Sequence, residues 1–274
     1  EQWKRVFDLQ PPFVMVTGWN EWIAGQWGKP GESIAFVDQF SQEYSRDIEP
    51  MKGGHGDNYY WQLVANVRRY KGASSQPQAS PAKTIRMDGG FEQWGDVQPE
   101  YRDHVGETAP RDYDGAADLH YTNRTGRNDL MALKVARDAT NVYFYARTRG
   151  AMSPSTDENW MWLLIDVDQN PKTGWEGYDL IVNRTVENGG TSWLEKNTGG
   201  WQWEKVARVT YRVQGDQLQL AIPRSALSLP QGQTGLSLDF KWVDHAQHPG
   251  DIMDFYQSGD AAPEGRFMYR YLAK

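Results

Sequence analysis

Leu130-Met131-Ala132-Leu133-Lys134-Val135-Ala136-Arg137 runs through Asp138-Ala139-Thr140 into Asn141-Val142-Tyr143-Phe144-Tyr145-Ala146, and this stretch decides the fold. Two apolar runs, rich in aromatic and β-branched residues and joined by a short polar turn, read as a β-hairpin. Working outward, Trp160 to Val167 is an apolar and aromatic run suited to a central strand. Tyr178 to Asn183, Val206 to Val213, Leu218 to Ile222, Leu236 to Val243 and Phe267 to Leu272 read as further strands, with Gly215-Asp216 as a tight turn. After residue 83 only Ser225-Ala226-Leu227, following Pro223, suggests a helical turn. Roughly ten strands without helical periodicity predict an antiparallel β-sandwich, jelly-roll-like, over 83–274.

Before residue 83 the pattern is different. Residues 72–82, GASSQPQASPA, are small and polar with two prolines, which is linker composition. Trp3, Val6 and Phe7 share a helical face, so 2–9 reads as the last turns of a helix, stopped by Pro11-Pro12. Phe13-Val14-Met15-Val16-Thr17 suits a strand buried on both faces. Asp57 is an N-cap residue, and Tyr60, Leu63, Val64 and Val67 form one stripe of a helix over 57–71, with Gly72 as its stop. Helix, strand, loop, helix is the grammar of an α/β protein, and a lone buried strand needs neighbours that 1–71 does not contain. The mainly β domain is therefore expected to follow a partial α/β segment.

Composition narrows the function. The 274 residues carry a net charge of −7 and no cysteine. Acidic balance argues against nucleic acid as the main partner. The absence of cysteine excludes disulfides, thiol catalysis and Cys-based zinc sites. No apolar run approaches membrane-spanning length. The sequence begins Glu1-Gln2-Trp3 without a methionine, so it is expected to be processed or part of something longer.

Three features could carry chemistry. Trp19-Asn20-Glu21-Trp22 directly follows the apolar run, and in a (β/α)8 barrel the C-terminal ends of strands line the active site. A carboxylate there can serve glycosidic chemistry; equally, Glu21 can cap the next element while the tryptophans pack. Asp38, Glu43, Asp47 and Glu49 in the following loop read as structural. Asp166, Asp168 and Asn170, at i, i+2 and i+4 after a strand and with Asp179 to complete them, could wrap a hard cation such as calcium. The alternative is an Asx-rich turn satisfied by its own backbone. The loop is not an EF-hand, because Pro171 and Gly177 occupy positions that need Gly and Glu. Tryptophan is the third feature. Trp160 and Trp162, alternate in one strand, point one way and read as core, whereas Trp175, Trp193 and Trp201 lie near loops and are candidates for stacking on sugar rings. His245 and His248 beside Asp244 could be imagined as a zinc pair but read as ordinary hydrogen-bonded residues, and no HExxH, phosphate-cradling or nucleophile-elbow motif is present.

Two resemblances extend this reading. VTGWNEW, residues 16–22, with the segment through 72, resembles the closing part of bacterial TIM-barrel glycoside hydrolase-like proteins, akin to the endo-mannosidase-like group. It implies that Asn20 and Glu21 sit at the barrel mouth, that Glu21 is catalytic, and that Trp19, Trp22 and Trp27 stack on sugar. Such a barrel needs about 250 residues, so its other strands and a second carboxylate must come from a missing N-terminal portion. IRMDGGFEQWGDV, LLIDVDQNPKTGWEGYDLIVN and GDIMDFYQSGDAAPEGRF, across 83–274, resemble family 9-type carbohydrate-binding modules and the wider DOMON-like sandwiches. That implies a β-sandwich that binds sugar, often with calcium. Haem-binding relatives pair a Met with a His, a pairing not evident here.

The combined expectation is the C-terminal part of a secreted or periplasmic glycoside hydrolase, inactive alone, whose sandwich binds a polysaccharide or oligosaccharide. The alternative is a binding or docking module without hydrolase activity.

Overall fold

A computed structural model of the chain describes every residue except 21–25, 29–34, 37–46, 52, 116–118, 188 and 230–234, and the backbone alone at 26, 27, 35 and 36. The chain forms two compact units, residues 1–75 with 113–121, and residues 76–112 with 122–274. No helix among the described residues is long and apolar enough to cross a membrane.

The first unit contains α1 (Gln2–Leu9), the two-residue strands β1 (Gln26–Trp27) and β2 (Ala35–Phe36), which pair with each other, and α2 (Asn58–Lys71). Both helices lie where the apolar spacing predicts them. Asp57 occupies the N-cap of α2, but its carboxylate accepts from the indole Nε1 of Trp61 at 2.8 Å rather than from a backbone N–H. Arg68, Arg69 and Lys71 in the last turn complement the helix dipole. The run Phe13 to Thr17 forms no strand, and the expected burial on both faces is corrected: Phe13 and Met15 are 75% and 74% exposed. No described strand pairs with it.

Strands dominate the second unit. They are β3 (Glu100–Arg102), β6 (Leu130–Arg137), β7 (Asn141–Thr148), β8 (Trp162–Asp166), β9 (Leu180–Glu187), β10 (Thr191–Gly199), β11 (Gln202–Gln214), β12 (Gln217–Pro223), β13 (Leu236–Asp244), β14 (Asp260–Ala262) and β15 (Tyr269–Ala273). Two further strands, β4 (Arg111–Asp114) and β5 (His120–Asn123), pair separately. The eleven strands form one antiparallel sheet in the order β14-β13-β8-β9-β10-β11-β12-β7-β6-β3, with β15 also on β13. The mainly β, antiparallel character is as expected, but the layers belong to one continuous sheet that nearly closes on itself. Its ends meet where Tyr101 of β3 packs edge-on against Phe240 of β13.

Alternation sorts the core. Leu133, Val135, Phe144, Leu220, Leu238 and Phe240 fill the interior. Trp162, Leu164, Tyr178, Ile181 and Val243 face outward into a second apolar cluster beneath the loops. Strand β8 is therefore covered on both faces, which explains its unbroken apolar sequence. Trp160 and Trp162 do not point the same way: Trp160 joins the interior and Trp162 the outer cluster. Met161, at φ 42°, breaks the extended backbone between them.

Candidate functional site

The loop from β8 to β9 is organised by its own acidic side chains. Asp166 accepts from the backbone N–H of Gln169 at 2.6 Å, Asp168 from that of Asn170 at 2.9 Å, Asn170 from that of Lys172 at 3.1 Å, and Asp179 from that of Val167 at 3.0 Å. The Thr173 hydroxyl donates to Asp168. These are Asx-type bonds, and they fold the loop back so that one carboxylate oxygen each from Asp166, Asp168 and Asp179 lies within 4.8 Å of the others. Asn170 is not part of that group; its side-chain oxygen is taken by Lys172.

Concentrated charge has its expected cost. Burial pushes the Asp166 carboxyl up to about 6, and the charges of Asp179, Asp239 and Asp168 add to the effect. Asp179 is raised as well, by burial and then by Asp168. The donor set is all hard oxygen, which suits a calcium-class cation. The same oxygens also serve the loop's own N–H groups, so both readings of the sequence persist in the geometry.

This loop braces an aromatic cluster. Trp175 and Tyr178 exchange backbone hydrogen bonds at 2.9 and 2.8 Å, closing a tight turn. Trp175, 6% exposed, meets the ring of Trp201 edge-on at 4.4 Å, and Trp201 contacts Trp162 and Trp203, each at 5.4 Å. The β10–β11 hairpin tip that carries Trp201 is tied to the loop by the Asn197 N–H, which donates to the Asp179 carbonyl at 2.8 Å. Trp201 and Trp203 are half-buried, packed against the outer apolar cluster, and the indole Nε1 of Trp203 is shielded from solvent. Two of the predicted sugar-facing residues, Trp175 and Trp201, thus join the predicted metal loop, with Trp175 as the buried support.

Trp193 lies elsewhere on β10. Its Nε1 donates to Glu187 at 2.7 Å, and Lys205 and Arg208 sit over its ring at 4.9 and 5.0 Å. His245 and His248 do not converge on a metal: His245 Nδ1 faces the Thr125 carbonyl, His248 Nδ1 faces Asp254, and Asp244 is engaged by Arg127.

In the first unit, Trp19 is half-exposed and lies edge-on to Tyr60 at 6.0 Å, and Asn20 donates to the Glu49 carboxylate. Glu21 and Trp22 lie outside the described residues, as do Asp38, Glu43 and the side chain of Trp27.

The sequence reading missed a cleft of about 630 Å³ on the outer face of β3, β6 and β7, lined by Glu100, Arg102, Lys134, Tyr145, Arg147 and Gln217. Polar residues at alternate strand positions were its available signal. Lys134, nearly buried, donates to the Trp94 carbonyl at 2.9 Å and pairs with Glu100 at 3.4 Å. Comparison of the chain with protein-family models, curated proteins and solved structures finds no match.

Proposed function

We propose that residues 76–274 bind carbohydrate through Trp201 and Trp203, on a surface held in place by the loop of Asp166, Asp168 and Asp179. The observation that carries this reading is the half-buried Trp201, fixed edge-on at 4.4 Å by buried Trp175 and flanked by Trp203. An immobilised indole can offer its apolar face to the CH groups of a sugar ring at little entropic cost, and the neighbouring ring, turned 86° to it, forms a wall beside that face. The three converging carboxylates of the loop, two of them raised by burial and like charge, favour a calcium ion as its brace.

The exposed Phe13, Met15 and Val16 are what a strand of a hydrolase barrel leaves open when its neighbours are elsewhere. Glu21 would then be the carboxylate acting on the glycosidic bond, with Asn20 beside it and a secreted polysaccharide-processing enzyme as the whole.

Retardation of the protein in gels containing soluble polysaccharides tests the binding reading. Wild type should be retarded, and W201A should lose retardation at least about tenfold. W193A should keep it. Equal retardation of W201A and wild type, with folding verified by circular dichroism, would overturn the proposal.

A further inference from the structure

We propose that Asp103, Glu107 and Asp260 hold a second hard divalent cation, of the calcium class, at the seam where the ends of the sheet meet. Asp103 directly follows β3, Glu107 lies in the next loop, and Asp260 opens β14. Each offers one carboxylate oxygen within 4.8 Å of the other two. Clustering alone would carry little weight, since acidic groups often gather without an ion.

The decisive feature is what these oxygens lack. Asp103 Oδ2, both oxygens of Glu107 and Asp260 Oδ1 are shielded from solvent and receive no donor. Asp260 is 3% exposed, and its other oxygen is spent on the Leu130 N–H at 2.5 Å, which fixes the carboxylate in the cluster. Buried anionic oxygens without donors are rare in folded proteins and call for a counter-charge. The Asp166 loop differs here, because none of its three carboxylates has such an orphaned oxygen.

The surrounding charges leave the deficit standing. Glu264 and Asp129 add negative charge near Glu107, while His104, Lys241 and Arg111, which lines the adjoining cavity, oppose it. Lys241 is fully buried, yet its ammonium donates to the Pro263 carbonyl. Without a cation, Glu107 and Asp260 can meet only by sharing a proton. An adjoining cavity of about 60 Å³, lined by Glu107, Thr108, Asn123, Ser258, Asp260 and Glu264, has room for an ion with its waters. Three carboxylates plus water and carbonyl oxygens make a normal calcium shell.

Calorimetric titration of chelator-stripped protein with calcium chloride at neutral pH tests the site. Wild type should bind, and E107Q should lose one equivalent relative to wild type, while D168N keeps that equivalent. E107Q should also remove the part of the calcium-induced rise in Tm that D168N retains. If E107Q folds poorly, D103N, at a partly exposed position, should give the same loss. Unchanged stoichiometry in E107Q and D103N, or a wild type that binds no calcium, would overturn the proposal in favour of a shared proton.

Discussion

The hydroxyl of Tyr101 donates to the backbone carbonyl of Arg270 at 2.8 Å, between strands β3 and β15, which share no ladder among the described residues. Tyr269 reciprocates, donating to the carbonyl of Arg102 at 2.8 Å. Two side-chain hydroxyls thus stand in for strand pairing between β3 and β15. Y101F keeps the ring against Phe240 and leaves a carbonyl unsatisfied, so it should cost about 1–2 kcal/mol. Y101A also opens a cavity and should cost about 3–5 kcal/mol. Urea denaturation measures both, and a Y101F protein as stable as wild type would remove the latch.

Arg127 and Asp244 form a second tie. Asp244 is fully buried, accepts from Arg127 Nε at 2.8 Å and Nη2 at 3.0 Å, and also takes the Met161 N–H at 2.9 Å. That last bond holds the unusual backbone that separates Trp160 from Trp162. R127A strands a buried carboxylate and should destabilise by about 3–5 kcal/mol. R127A/D244N should recover part of that loss, because the uncompensated charge is gone. A double variant no more stable than R127A would contradict this account.

How much of this was legible beforehand depended on how local the cause was. The β6–β7 hairpin was read to within two residues because its turn is local: Asp138 accepts from the N–H groups of Thr140 and Asn141 at 2.8 and 2.7 Å. Strand β10 was missed. Its register shifts around Leu194 break the alternation, and it buries Glu195 against Arg184, a polar residue where the pattern asks for an apolar one. Asp166, Asp168 and Asp179 were legible as a group because they share one loop. Asp103 and Glu107 stand more than a hundred residues before Asp260, and only closure of the sheet brings them together. The cationic neighbours of Trp193 were hidden for a related reason, since Lys205 and Arg208 lie on the next strand.

Acid should loosen the β6–β7 turn. Burial alone would raise the Asp138 carboxyl, but hydrogen bonds from Tyr143, Thr140, Asn141 and Thr84 outweigh it and hold the group down at about 2. A depressed folded value means that the stabilisation is fully present above the unfolded value near 4 and is lost as pH falls from about 4 to about 2. Allowing for solvent screening, the contribution is roughly 1 kcal/mol. D138N should be less stable than wild type at pH 7, and the two should converge near pH 2. A constant gap between pH 7 and pH 2 in urea titrations would show that the charge is not responsible.

Gly174 and Gly189 separate backbone strain from collision. Both have positive φ, 66° and 84°, where an L-residue pays about 1–2 kcal/mol. Around Gly189 nothing lies within 4 Å of an added Cβ, so G189A should cost only that strain. At Gly174 the Cβ would run into the carbonyl of Tyr178, the group that accepts from the Trp175 N–H. G174A must therefore break the turn that seats Trp175 against Trp201, as well as paying the strain. It should lose more stability than G189A, red-shift the tryptophan fluorescence and flatten the near-ultraviolet circular dichroism. Retardation by polysaccharide should fall with it, because the support of Trp201 has moved. Equal stability and identical spectra for the two variants would mean that the loop does not position the aromatic cluster.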